Sequence, residues 1–245
     1  MDILRKVLLL GAACLLPLPS FAAQPDSQKA LIYSDLYSIA RGGRLYDNWF
    51  KEKGLKPPTQ PHPAYPPAGK FRGKKGADWR CKECHGWDYL GVEGVYGKGK
   101  HLTGFPGIRD AYRMTPKKLA KILSDEFHGY GPGTLSAADV YDLATFVARG
   151  TFPMDHYIDF EKERGMGSVR RGREYYQTVC VGCHGLDGKG EETPPLGKLA
   201  RENPWEVMHK ILNGQPGEDM PALRAFGVQP AADIVTYLQE EMPVK

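Results

Sequence analysis

The sequence predicts an all-α protein that consists of two similar helical domains in tandem. The same C-x-x-C-H cluster occurs once in each half of the chain, at residues 81–85 and 180–184. The same pair of helical signatures flanks each copy, and no stretch has the pattern of parallel strands. A length of 245 residues is enough for one or two domains. We call the two clusters motif 1 and motif 2.

The first 22 residues have the three parts of an export signal. Arg5 and Lys6 form a charged start, residues 7–16 form an apolar run, and a small-x-small cleavage pattern ends at Ala22. The apolar run is too short to span a bilayer, and no later segment is long and apolar enough to do so. We therefore expect cleavage after Ala22 and a periplasmic product without a transmembrane segment.

Cleavage would leave four cysteines, and all of them lie in the two motifs. They are Cys81, Cys84, Cys180 and Cys183, and the histidines that follow them directly are His85 and His184. In such a unit both thiols can add to the vinyl groups of one haem, while the histidine becomes the proximal ligand of the iron. The sequence therefore predicts two covalently bound haems c.

Two other uses of paired cysteines fit the sequence less well. A redox-active dithiol needs a single C-x-x-C in a βαβ setting, which the sequence does not show. A four-thiolate zinc site could use two C-x-x-C pairs, but it does not explain why a histidine follows both. Covalent attachment of haem accounts for the cysteines and the histidines together.

An internal repeat surrounds the motifs. Before each motif, an Arg-Gly pair is followed by a tyrosine on the same helical face, as Gly42 with Tyr46 and as Gly172 with Tyr176. The far ends of the two units, DLATFVARG and DIVTYLQEE, also match. Before these lie TPKKLAKIL (residues 115–123) and NPWEVMHKIL (residues 203–212), each with a proline near the start of a predicted helix. Each half is therefore predicted as first helix, motif, long loop, middle helix, ligand loop and last helix.

This layout resembles tandem class I c-type cytochromes and is similar to the dihaem cytochrome c4 group. The resemblance implies cytochrome c domains over residues 23–150 and 168–245, joined by a linker over 151–167. In each domain the first and last helices are expected to cross, and the chain to wrap around the haem. The first domain carries a proline-rich and basic insertion at about residues 51–78, which is expected to lie over the surface.

The resemblance also assigns a distal ligand to the second haem. Class I cytochromes take a thioether from a loop before the last helix, and GEDMPAL places Met220 in that loop. Thioether ligation favours ferrous iron and raises the potential. Met208, inside the preceding helix, is expected to pack in the core. We therefore predict His184 and Met220 as the axial ligands of the second haem.

The corresponding loop of the first domain, DEFHGYGPG, contains no methionine. When the last helices are aligned, His128 lies opposite the ligand methionine to within one residue. We predict that His85 and His128 ligate the first iron, and an open or otherwise ligated iron is the alternative. Met114 precedes the middle helix, whereas the ligand loop follows it. His62 and His101 are interpreted as solvated loop histidines.

Proximal histidines usually donate their second ring nitrogen to a backbone carbonyl, which fixes the ring. In the family that this chain resembles, the carbonyl belongs to a proline that follows the motif. Pro195 fits this role for His184, whereas Pro106 fits it for His85 only with a longer loop.

The charge of the chain is distributed unevenly. Residues 23–150 contain 20 Lys and Arg against 13 Asp and Glu, or +7, whereas residues 151–245 contain 11 against 15, or −4. Six of the positive charges lie in residues 70–82, close to motif 1. A basic surface beside a haem edge would steer an acidic redox partner toward it. The alternative is an ordinary solvated loop.

These features favour a periplasmic dihaem cytochrome that carries electrons between respiratory redox partners, rather than an enzyme. The alternative is a dihaem oxidoreductase that acts on a small inorganic anion, similar to thiosulfate dehydrogenase. Thiosulfate dehydrogenases of this layout use a cysteine as a distal ligand, and every cysteine after residue 22 already lies in a motif. Nucleic acid is not expected as a partner, because the chain has an export signal and no recognition motif.

Overall fold

The computed structural model of the chain describes residues 26–190 and 193–245, with side chains from residue 35 onward, and these residues are largely helical. The all-α prediction is thereby confirmed in its coarse form. The predicted signal peptide, residues 1–22, lies outside the described residues. In the described part no helix has both the length and the apolar character needed to cross a membrane. The α-helices are α1 (Asp26–Glu52), α2 (Cys81–His85), α3 (Pro116–Leu123), α4 (Ala137–Arg149), α5 (Val169–Tyr175), α6 (Val181–His184), α7 (Leu196–Glu202), α8 (Pro204–Asn213) and α9 (Gln229–Glu241).

Two helix crossings organise the chain: α1 packs on α4, and α5 packs on α9. A Cβ atom placed on Gly42 would lie 2.2 Å from the carbonyl oxygen of Asp142, and one placed on Gly172 would lie 2.0 Å from that of Asp233. Only glycine allows the backbones to approach this closely. The two glycines that the repeat pairs in the sequence therefore serve the same purpose in the structure.

The aromatic residues of the repeat meet at the same crossings. The rings of Tyr46 and Phe146 lie 5.4 Å apart, and those of Tyr176 and Tyr237 lie 5.6 Å apart. Tyr46, Phe146 and Tyr176 are almost fully buried. Aromatic pairs of this kind stabilise a core by more than the burial of their apolar surface alone would. The predicted pairing of the first and last helices is confirmed in both halves of the chain.

The middle helices α3 and α8 begin where the prolines predict. The side chain of Thr115 caps α3, whose first residue is Pro116, and the side chain of Asn203 caps α8, whose first residue is Pro204. Each cap satisfies a backbone N–H that the first turn of a helix leaves free, and proline has no N–H to lose there.

A buried carboxylate joins the two halves where α8 packs on α1. Asp47 of α1 is 1% exposed and accepts a hydrogen bond from Nζ of Lys210 on α8 at 2.6 Å. Arg80, beside motif 1, contacts the same carboxylate and also donates to the Asp47 carbonyl oxygen at 2.6 Å. Burial alone would raise the pKa of Asp47, but the charges of Lys210 and Arg80 lower it to about 2. The carboxylate is therefore ionised and fully paired.

The insertion and the linker are more deeply packed than the sequence suggests. Residues 53–76 form turns without a helix or strand, as expected, but Tyr65 within them is only 1% exposed. The predicted linker contains two short antiparallel strands, β1 (Ile158–Asp159) and β2 (Arg164–Gly165). The backbone N–H of Gly165 donates to the side chain of Gln239 on α9 at 2.8 Å, and Ile158 is fully buried. The linker thus contributes Met154 and Ile158 to the core and is tied to α9 by its backbone.

Candidate functional site

Motif 1 forms α2, and two hydrogen bonds fix the chain just before it. The carbonyl oxygen of Trp79 accepts from Trp49 Nε1 at 3.0 Å and from Tyr130 Oη at 2.7 Å. Cys81 and Cys84 follow as free thiols, and burial raises the pKa of both to about 12. Two unlinked, protonated thiols at this spacing fit the predicted attachment of a haem.

His85, the last residue of motif 1, is held by the loop that follows. Its Nδ1 lies 2.8 Å from the carbonyl oxygen of Pro106, to which it must donate. Burial lowers the pKa of His85, so the ring is neutral. A neutral imidazole that carries its proton on Nδ1 keeps a lone pair on Nε2, which is the form that ligates a metal. The structure therefore gives Pro106 the role that the sequence assigned to it only with a longer loop.

The loop that carries Phe127 and His128 packs against the loop that holds His85. The ring of Phe127 lies 5.7 Å from that of Phe105, which directly precedes Pro106, and 5.3 Å from that of His128. The loop that carries His128 therefore lies beside the loop that holds His85, while ligation of an iron by the two histidines stays a prediction.

His128 is oriented by Asp125, whose Oδ1 accepts from its backbone N–H at 2.8 Å and lies 3.2 Å from its Nδ1. If Nδ1 carries the proton, Nε2 is free to act as a ligand. Beside this loop lies an open cleft of about 470 Å³, lined by Pro63, Ala64, Glu126 and Phe127. The proline-rich insertion therefore forms one wall of the cleft rather than closing it.

His62 is not the solvated loop histidine that the sequence suggests. It is 6% exposed, its Nε2 donates to the carbonyl oxygen of His128 at 3.0 Å, and its Nδ1 accepts from the N–H of Ala64 at 3.2 Å. Both ring nitrogens are therefore occupied, which leaves no lone pair for a metal. In this arrangement His62 supports the His128 loop instead of competing with it.

His101 is also ordered by its neighbours, contrary to the sequence interpretation. Its ring stacks on Tyr96 at 4.3 Å and on Phe71 at 4.7 Å, and its Nδ1 lies 3.0 Å from the carboxylate of Glu83 in motif 1. Because Phe71 belongs to the insertion, this stack fastens the insertion to motif 1. The sequence gives no local sign of the stack, since Phe71 belongs to a different loop from Tyr96 and His101.

Motif 2 repeats the local geometry of motif 1. Its histidine ends the short helix α6, as that of motif 1 ends α2. In motif 1 the hydroxyl of Tyr46 donates to the carbonyl oxygen of Gly86 at 2.6 Å, and in motif 2 that of Tyr176 donates to Gly185 at 2.7 Å. Both glycines have a positive φ and directly follow the motif histidine. Cys180 and Cys183 are free, and burial raises the pKa of Cys180 to about 11. The same constellation therefore occurs twice.

The proximal histidine of motif 2 is held differently, and the prediction for Pro195 is wrong in this structure. The carbonyl oxygen of Pro195 accepts from the N–H groups of Lys198 and Leu199, at 3.0 and 3.1 Å, because it opens the first turn of α7. Nδ1 of His184 is buried and has no hydrogen-bond partner among the described residues. The His184 ring is therefore not fixed by a carbonyl in the way that His85 is.

Three methionines bear on the second site. Met208 is fully buried on α8, which confirms that it packs in the core. Met220 is half-buried against the core in the loop before α9. Met242 was not singled out in the sequence, yet its Sδ lies 3.3 Å from where a Cβ of Gly188 would be, four residues beyond the motif histidine. Ligation by Met220 stays a prediction.

Some of the basic side chains near motif 1 are buried and paired, and others are exposed. Lys82 is only 7% exposed and contacts Glu83, and Arg80 is paired with Asp47. The exposed lysines come from two segments that the Phe71–His101 stack brings together. They are Lys70, Lys74, Lys75, Lys98 and Lys100, and we call them the lysine surface.

Comparisons with known proteins point to cytochromes c, and the family match includes motif 2 but not motif 1. Residues 167–238 match the family described as cytochrome c oxidase, cbb3-type, subunit III. The cbb3-type cytochrome c oxidase subunit CcoP of Helicobacter pylori is 28% identical over 115 residues, which covers 45% of this chain and 35% of that protein. The chain thus spans about a third of the length of this relative. A cytochrome c-553-like protein of Synechocystis is 32% identical over 76 residues, or 30% of this chain and 69% of that protein. No solved structure gives a significant match.

Proposed function

Because the chain belongs to the c-type cytochromes, we propose that it is a periplasmic electron carrier with two covalently bound haems. The observation that carries this proposal is the duplicated constellation. Each copy consists of two free thiols and a histidine that ends a short helix, followed by a glycine whose carbonyl oxygen accepts from a buried tyrosine. Free thiols in this arrangement fit haem attachment at Cys81 and Cys84 and at Cys180 and Cys183.

In this proposal each half forms one cytochrome c domain, and the bound haems supply the redox-active iron. His85 and His128 would ligate the iron of the first haem, and His184 and Met220 would ligate that of the second. An imidazole in place of a thioether gives a lower potential. We expect electrons to enter at the first site and to settle at the second.

The lysine surface is the proposed docking site for the electron donor. Its lysines flank His101, whose ring contacts Glu83 of motif 1, so the surface adjoins the first site. Clustered positive charge raises the association rate with an acidic protein, and salt screens this effect. The proposed donor is therefore an acidic redox protein that docks beside motif 1.

Visible and EPR spectra of the purified protein at controlled potentials test this function. With both axial positions filled, the protein is expected to show two six-coordinate low-spin haems that do not bind carbon monoxide or cyanide. A high-spin haem that binds these ligands would contradict the carrier proposal. That result would instead favour an enzyme that acts on a small inorganic anion, with the cleft beside His128 as its entrance.

Replacement of Met220 by Ala tests the second site. The loss of a thioether ligand is expected to remove the sulfur-to-iron charge-transfer band and to lower one of the two potentials, while the other stays unchanged. Visible spectra and a redox titration measure both effects. Met166→Ala is the matched control, because Met166 is 51% exposed and should change neither potential. If Met220→Ala also leaves both potentials unchanged, the ligand is another residue, and Met242 is the next candidate.

A further inference from the structure

Tyr89, four residues beyond His85, has an unusual backbone conformation. Its φ is 65°, in the left-handed region that residues other than glycine rarely adopt, and its side chain is fully buried. A non-glycine residue in this region is strained and persists only when its surroundings hold it in place. The position of Tyr89 is therefore imposed by its contacts.

The contact that fixes the Tyr89 hydroxyl comes from the other half of the chain. His209 on α8 is fully buried and its Nε2 lies 2.9 Å from the carbonyl oxygen of Gly43, so Nε2 carries the proton. Burial lowers the pKa of His209 to about 3, which keeps the ring neutral. Nδ1 must then accept, and the Tyr89 hydroxyl donates to it at 2.8 Å. The tautomer of His209 is thus determined by its two partners.

The backbone of Tyr89 in turn holds the loop that orients His85. The carbonyl oxygen of Tyr89 accepts from the N–H groups of Ile108 and Arg109, at 2.8 and 3.2 Å. This carbonyl also lies 2.3 Å from the position that a Cβ on Gly107 would take, so the loop lies directly on Tyr89. The residue before that glycine is Pro106, whose carbonyl oxygen accepts from His85 Nδ1. A continuous series of contacts therefore leads from α8 to the proximal histidine of motif 1.

We propose that Tyr89 and His209 are positioning residues for His85, through which helix α8 of the C-terminal half tunes the potential of the first haem. The inference rests on the proposed function, since it requires a haem at motif 1. The hydrogen bond from a proximal histidine to a carbonyl raises the basicity of the ring and stabilises ferric iron. A displaced Pro106 loop weakens that bond. Motif 2 lacks such a carbonyl partner among the described residues, so the effect is confined to the first site.

The substitution Tyr89→Phe in the full-length haem protein tests the inference. It keeps the ring and removes only the hydroxyl that reaches His209. At a fixed applied potential, the ratio of reduced to oxidised first haem is expected to rise by up to about tenfold, which is the lower limit of the effect of removing an outer-shell partner outright. The ratio for the second haem is expected to stay constant. A redox titration followed by visible and EPR spectra measures both haems.

His209→Gln and the double variant separate positioning from packing. Glutamine can still reach the Gly43 carbonyl but places no acceptor where Nδ1 lies. The variant should therefore raise the ratio of reduced to oxidised first haem, as Tyr89→Phe does. Because the two residues act along one path, the double variant should raise this ratio no further than either single variant does. Tyr141→Phe is the control, since Tyr141 is 53% exposed.

The outcomes are distinguishable. A wild-type protein with only one haem signal overturns the proposed function. Two haem signals whose potentials are the same in wild type and in Tyr89→Phe overturn only this inference, and so does an equal shift of both haems. A shift of the first haem alone, without additivity in the double variant, supports it.

Discussion

The substitutions Gly42→Ala and Gly172→Ala are each expected to destabilise the protein by about 3 kcal/mol or more. The added Cβ would lie 2.2 Å from the carbonyl oxygen of Asp142 in the first case and 2.0 Å from that of Asp233 in the second. These neighbours are backbone atoms, so no side-chain rotation relieves the clash, and the two helices must separate. Separation also exposes the aromatic pair at each crossing. Thermal or denaturant unfolding of the variants measures the loss.

Gly182→Ala is the matched control. Gly182 lies in the short helix α6, and a Cβ placed there meets no atom within 4 Å. Alanine in a helix is about 0.5–1 kcal/mol more favourable than glycine, so this variant should be as stable as the wild type or slightly more stable. If Gly42→Ala and Gly172→Ala unfold at the same denaturant concentration as Gly182→Ala, the helices do not cross as closely as the structure shows.

The substitution His128→Ala is expected to convert the first haem from a six-coordinate low-spin centre to a high-spin centre that binds carbon monoxide. The imidazole is the proposed distal ligand, and its removal leaves an open coordination position next to the cleft walled by Phe127. The second haem, with its own ligands, should keep its spectrum. Difference spectra with carbon monoxide and EPR spectra report the two haems separately.

His156→Ala is the control for this change, because His156 is exposed and lies outside both motifs. Unchanged spectra in His128→Ala would contradict the assignment and move it to Met114. His62 is the weaker substitute, since both of its ring nitrogens are already hydrogen-bonded.

Much of the architecture follows from patterns that are local in the sequence. The glycine and tyrosine four residues apart predict a helical face, and the structure uses Gly42 and Gly172 at equivalent crossings. Proline after a capping residue predicts the starts of α3 and α8. These features depend on neighbours within one or two turns, so a sequence displays them directly.

Some features that the sequence did not predict depend on partners distant in the chain, and one depends on a competition between nearby backbone groups. His209 and Tyr89 are 120 residues apart, and neither has a local pattern that predicts their hydrogen bond. His101 is ordered by rings from two other loop positions. Pro195 failed as a partner of His184 because its carbonyl oxygen begins α7, a competition that spacing alone does not show.

Mass spectrometry of the protein exported by a cell that matures c-type cytochromes tests the central claim most directly. The intact protein is expected to begin at Ala23 and to carry two haem additions. Peptide mapping should place one addition on Cys81 and Cys84 and the other on Cys180 and Cys183. A single haem addition, or free thiols in either cysteine pair of the haem-loaded protein, would contradict the account.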